Sequence, residues 1–431
     1  MEKVKSNFIK YVSLNVIGMI GVSCYILADT FFIAKALGTA GLASINLSIS
    51  IFSIMQGMGL MIGIGGATDF SIRKQLDKDQ SNKSFMQSIY IGAFVSLIFI
   101  IIAMFFTVPL SRLLGADKTT LPLTKTYLTT VLSFAPFFIL NNILLAFIRN
   151  DHNPKLSMIA MIVSSLANIV LDYIFMFPFS MGMFGAAFAT GLSPIISLGI
   201  LSTHFISKKQ SFHLIRCKVQ VERILRIMSL GFSSFIGELA SAISLITFNL
   251  IILKIEGNTG VAAYGIIANI ALVATAIFVG IAQGLQPLAS DYYSKGSFRS
   301  VNRILRYAIM SALMFSVVIY GTIFIFANPI VSLFNSENNI QLNLLAVEGV
   351  KLYFIGYLFA GINIVAAAFL SATSNAKEAM VISILRSCMI LIPSVLIFSI
   401  LFDMTGVWSS FVITELLVFV LTMIFLKRRK G

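Results

Sequence analysis

The chain has 431 residues, 58% of them hydrophobic and only 11% charged, with a mean hydropathy of +0.95. A soluble protein carries roughly a quarter charged residues, so this composition excludes a soluble enzyme and predicts an all-α polytopic membrane protein. The net charge of +14 fits basic loops on one side of a membrane rather than nucleic-acid binding.

A membrane span needs about 20 mostly apolar residues. That rule predicts helices near 11–33, 42–67, 84–108, 123–148, 157–177 and 184–206. A second set falls near 225–253, 259–284, 303–327, 345–371, 378–402 and 405–426, which makes twelve. The first stretch does not read as a signal peptide, because it contains Asp29 and no small-residue cleavage site follows it. With the N-terminus inside, the outer side keeps only Lys35, Arg112, Lys118, Lys125, Lys254 and Lys351 of the 31 basic residues. The asymmetry predicts a plasma-membrane protein with both termini cytoplasmic.

The two halves resemble each other. Gly38-Thr-Ala-Gly41 matches Gly257-Asn-Thr-Gly260 at an offset of 219, and Pro109 matches Pro329 at 220. Asn153-Pro-Lys155 matches Asn375-Ala-Lys377 at 222, and Gly185 matches Gly406 at 221. The expected architecture is therefore two pseudo-symmetric six-helix bundles, with lobes at 1–212 and 213–431, related by an axis along the membrane normal. Facing bundles of this kind make a central cavity that opens to either side by rocking, which suits a transporter.

Acids inside the spans are few: Asp29, Asp172, Glu238 and Glu415. A carboxylate there is costly unless protonated, paired or ion-bound. Asn168 and Asp172 lie four residues apart, on one helical face. Counting along the helices places Asp29, Asn168, Asp172 and Thr190 at a similar depth in the first bundle. Two carboxylates, an amide oxygen and a hydroxyl are hard ligands for a small cation such as Na⁺, and in a dry pocket the two acids would repel and share a proton. Either reading makes a cation-coupling site; the alternative is a polar cluster that ties three helices together. The second half lacks this set: the equivalents are Phe248, Met389, Pro393 and Phe411.

Glu238, midway along the seventh span, is a candidate to meet a cationic substrate, to titrate as a second site, or to be a packing acid. Gln56, Gln283 and Gln286 either line the cavity or make helix–helix hydrogen bonds. Arg386 and Glu415 lie on antiparallel neighbours and read as a structural ion pair, with a substrate role as the alternative. Cys24, Cys217 and Cys388 have no disulfide or zinc spacing, and no nucleotide-binding, zinc-protease or nucleophile-elbow motif is present.

Taken together, Ala28-Asp-Thr-Phe-Phe-Ile33, Gly38–Ala43, Gly182-x-x-Gly-Ala-Ala187 and Gly280-Ile-Ala-Gln-Gly-Leu-Gln-Pro287 resemble the multidrug and toxic compound extrusion (MATE) family, within the flippase-like superfamily. The resemblance spans essentially the whole chain. It implies export of lipophilic or cationic compounds in exchange for Na⁺ or H⁺, without other cofactors, by a monomer. It also implies a cation site at Asp29, Asn168, Asp172 and Thr190, and it makes Glu238 an equivalent of a functional acid. Many members have proline early in the first and seventh helices; Ser13-Leu-Asn-Val and Gly231-Phe-Ser-Ser stand there instead, which puts a proline-bent first helix in doubt. The alternatives are a lipid or lipid-linked oligosaccharide flippase, expected to have a basic cavity, and a membrane-embedded receptor or enzyme.

Overall fold

The computed structural model describes residues 2–74, 78–208, 210–332, 334 and 339–428. All regular structure among the described residues is helical. Helical hydrogen bonding runs over Glu2–Arg73, but Gly38 has φ 62° and ψ −151° and divides it into α1 (2–37) and α2 (39–73). Helix α3 (78–113) contains a wide π turn at Ile102–Phe106. Helix α4 joins Leu121–Ser133 to Ala135–Asn150 across a 50° bend. Helices α5 and α6 are Pro154–Met176 and Gly182–Ile206.

The second half repeats the plan. Val221–Ser294 is divided at Gly257, with φ 60° and ψ −149°, into α7 (221–256) and α8 (258–294). Helices α9 and α10 are Phe298–Ser332 and Ile340–Ala372. Helix α11 (376–402) has a π turn at Leu385–Met389, and the break at Phe402–Asp403 separates it from α12 (404–428). Twelve helices result among the described residues, one for each predicted apolar window.

The helices overrun those windows, because their ends pack on protein as well as lipid. Helix α1 begins at Glu2 rather than near residue 11, and its first turns bury Val4, Phe8, Tyr11 and Val12. It also passes through Ser13–Val16 without a break, as expected where no proline interrupts the hydrogen-bond ladder.

The repeat is written into the backbone as well as the side chains. Gly38 and Gly257 share one conformation, which only glycine enters without strain. No atom lies within 4 Å of a Cβ built at either, so the conformation alone demands glycine. Other left-handed residues pair in the same way: His152 (φ 62°) with Ser374 (63°), and Gly182 (58°) with Asp403 (49°). The bend after Phe134 in α4 recurs at Phe354 in α10 as a 3₁₀ turn.

Two apolar cores follow from this plan. One is built from residues between Ile33 and Ile227, the other from residues between Phe248 and Phe411 together with Val4–Val16 of α1. The terminal halves of α1 and α7 thus cross to the opposite bundle. Large apolar side chains such as Phe94, Met104, Leu166, Val317 and Ile400 are exposed, as lipid-facing positions require.

Candidate functional site

Helices α1 and α5 are both odd-numbered spans, so they run in the same direction. They touch closely near the face that carries the termini, where a Cβ at Gly18 would stand 3.2 Å from Met161 Sδ. Eleven residues on is about three turns, which brings Asp29 and Asp172 level and back onto the contacting face. Both are buried, and the two carboxylates lie within electrostatic range of each other.

Asn168, one turn before Asp172, is fully buried. Its amide satisfies both neighbours in one orientation: Nδ2 donates to Asp172 Oδ2 at 3.1 Å, and Oδ1 accepts from the Thr190 backbone N–H at 3.3 Å. Asn168 therefore ties α5 to α6 and holds one oxygen of Asp172. Left over are Asp29 Oδ1, Asp172 Oδ1 and Thr190 Oγ1, all buried with no hydrogen-bond partner among the described residues. The four residues predicted to share a level do come together, and three oxygens remain free at that level.

Two tyrosines escaped the sequence reading. Tyr25, one turn before Asp29 on α1, lies within electrostatic range of Asp29, Asp172 and Glu238. Tyr127 on α4 is buried, lies within electrostatic range of Asp29 and Asp172, and brings its hydroxyl toward the Thr190 hydroxyl, short of a well-formed hydrogen bond. The i, i+4 spacing of Tyr25 to Asp29 was a usable signal; Tyr127, on a separate helix, had none.

Glu238 is half-buried on α7, next to the exposed Gly237, around whose Cβ position nothing lies within 4 Å. Tyr25 is within electrostatic range of both Glu238 and the acid pair. Gln56 on α2 accepts from Asn142 Nδ2 of α4 at 2.9 Å, a helix–helix hydrogen bond inside the first bundle. Gln283 and Gln286 are buried on α8, and Gln283 Oε1 has no partner among the described residues. Arg386 and Glu415 form the expected ion pair at 2.8 Å. Asn363 of α10 donates to the second Glu415 oxygen at 2.8 Å and accepts from Thr422 at 3.0 Å.

The bundles meet backbone to backbone toward the terminal face. A Cβ at Gly65 of α2 would stand 2.0 Å from Ile227 O, and one at Gly231 of α7 1.9 Å from Met61 O. On the other side of the pseudo-axis, Gly280 and Gly284 of α8 press on Val16 and Val12 of α1, at 2.6 and 2.7 Å. Small residues permit this approach. Asp69, also outside the sequence reading because it lies two residues past the second predicted span, reinforces one seam. It is fully buried, accepts from Arg73 at 3.0 Å and Ser84 at 2.6 Å, and is ion-paired across the seam with Arg226 Nε at 2.9 Å.

Comparison with known proteins agrees with this architecture. The sequence profile described as MatE matches residues 16–174 and 234–397, one segment in each half. Proteins named multidrug export protein MepA are similar along most of their length. The one from Staphylococcus saprophyticus is 29% identical over 91% of this chain and 86% of the relative. That from Staphylococcus aureus strain MSSA476 is 30% identical over the same shares. A solved structure described as the outward-facing conformation of a multidrug resistance MATE family transporter superposes with a TM-score of 0.92. It covers 99% of this chain and 96% of its own, at 21% identity. With both halves matched and close to the full length aligned, the chain belongs to the MATE family of transporters.

Proposed function

We propose that the protein is a secondary antiporter that exports lipophilic or cationic compounds in exchange for inward flow of Na⁺ or H⁺. The observation that carries this reading is the set of three buried, unpartnered oxygens on Asp29, Asp172 and Thr190. Two carboxylates in a low-dielectric pocket repel each other, so the site favours taking up one positive charge, as a shared proton or a small cation held by oxygens. The names of the staphylococcal relatives support the substrate class.

Glu238 offers a negative charge beside the space between the bundles and suits the cationic part of a substrate. Tyr25 is within electrostatic range of Glu238 and of both aspartates, which supports a reading in which a change of charge at Asp29 and Asp172 is felt at Glu238. The two bundles act as lobes over 1–212 and 213–431 and rock against each other. The glycine seams at the terminal face support a conformation closed on that side. The clustering of Lys and Arg on that face supports the reading that it, and both termini, lie in the cytoplasm of a plasma-membrane protein. The working unit is the monomer, since each chain carries both bundles.

Accumulation of a fluorescent lipophilic cation in cells tests this directly. Cells expressing the wild-type chain are expected to exclude the dye, and cells expressing Asp29→Asn at equal membrane abundance to accumulate it like cells without the protein. Wild-type exclusion by Asp29→Asn would remove the coupling role.

A further inference from the structure

A cavity of about 720 Å³ opens at the terminal face where the bundles meet. Three arginines line it: Arg73 from α2 of the first bundle, and Arg223 and Arg226 from the start of α7. Arg73 and Arg226 each present Nε to the buried Asp69, which leaves their outer Nη edges without a hydrogen bond among the described residues. Arg223 is buried and is held in place by Gln80, whose backbone carbonyl accepts at 2.7 Å and whose Oε1 accepts at 2.5 Å. Gln220, the residue before α7, provides no side-chain cap, and the start of the helix, Val221 and Glu222, lines the same space. The charge balance is three guanidinium groups against Asp69, which is already engaged, and the exposed Glu222.

The rim of the cavity belongs to the membrane interface. The segment leading into α7 lies along α3, where Gln87 donates to Lys218 O at 2.8 Å and Tyr90 to Cys217 O at 3.2 Å. From this pinned segment Val219, Val221 and Leu225 stand exposed beside exposed Arg216 and Lys218. Apolar and basic side chains alternating in this way suit the boundary between acyl chains and anionic headgroups.

We propose that this cavity is an anion site that takes a phosphate-bearing group, either a phospholipid headgroup or free phosphate, between guanidinium forks contributed by both bundles. An occupied site holds α2 and α7 together and so favours the conformation in which the terminal face is closed. That consequence rests on the rocking motion proposed above; the binding itself does not.

The test is the melting temperature of the full chain in neutral detergent, titrated with phosphatidylglycerol in one arm and with inorganic phosphate at constant ionic strength in another. Wild-type protein is expected to gain several degrees in at least one arm. A gain with the lipid alone assigns a headgroup, and a gain with both assigns the phosphate group itself. Arg73→Gln/Arg223→Gln should abolish the gain, whereas Arg299→Gln/Arg306→Gln, which removes the same charge from exposed positions on α9 away from the cavity, should keep it. Glu222→Gln leaves every described hydrogen bond of the site intact and should shift the titration about threefold or more to lower ligand. No gain in either arm, or an undiminished gain in the double cavity variant, would overturn the proposal. So would a Glu222→Gln titration identical to wild type. Because melting requires no transport, a failed dye-exclusion assay leaves this result standing, and the reverse holds too.

Discussion

At the level where the first bundle buries Asp29, Asp172 and Thr190, the second bundle buries rings. Phe248, the equivalent of Asp29, is fully buried and stacked on Tyr264 with centroids 4.9 Å apart and planes at 12°. Phe411, the equivalent of Thr190, stacks on Tyr353 at 4.2 Å and 8°. Trp408 and Tyr357 extend the same cluster. The second bundle does bury charge elsewhere, but there it is satisfied: Glu415 has Arg386 on one oxygen and Asn363 on the other. One backbone plan thus carries an unsatisfied acid cluster in one copy and a packed aromatic cluster in the other. A buried polar atom without a partner costs about 1–3 kcal/mol. Unpartnered carboxylate oxygens occur in only one of these matching clusters, whereas the unpartnered atom in the aromatic cluster is the neutral Trp408 Nε1; the acids mark where stability has been given up for function.

The comparison breaks most severely if the acid can be transplanted. Phe248→Asp should remove a packed ring and leave an unpaired carboxylate, a loss of about 5 kcal/mol. Sharply lowered yield and melting temperature in detergent would report it; a normally stable variant would mean that the second bundle tolerates what the first is built to hold. Next in size is Glu415→Gln, which leaves Arg386 without its anion and should cost about 3 kcal/mol. Arg386→Met/Glu415→Met should recover most of that loss and keep transport, as a structural pair requires; loss of transport in a stable double variant would give the pair a substrate role. Smallest is Asn142→Leu, which deletes the hydrogen bond to Gln56. About 1 kcal/mol is expected, with dye exclusion near wild type, and a large change in exclusion would place Gln56 in the substrate path.

Much of the fold was legible because a bilayer imposes length and polarity on each span. The repeat was equally visible, since Gly38 and Gly257 answer to a backbone conformation that glycine alone enters without strain. The grouping of Asp29, Asn168, Asp172 and Thr190 followed from counting residues along helices, because position along a spanning helix sets depth in the membrane. What counting misses is the partner on another helix. Tyr127 is one of 12 tyrosines, in a chain with 38 phenylalanines, and nothing in its neighbourhood along the chain sets it apart. Asp69 was overlooked for a related reason: just past an apolar window it reads as a loop acid, yet α2 continues through it and brings it under Arg226 of the other bundle. The role of Gln56 was open between cavity and packing until Asn142 was seen to face it.

The central claim is that the acid cluster of the first bundle couples cation entry to export. Proteoliposomes with independently imposed Na⁺ and proton gradients, loaded with a fluorescent lipophilic cation, test it most directly. Wild-type protein is expected to drive dye movement with one of the two gradients, and Asp29→Asn and Asp172→Asn with neither. Dye movement that ignores both gradients, or that persists in these variants at the wild-type rate, would contradict the account.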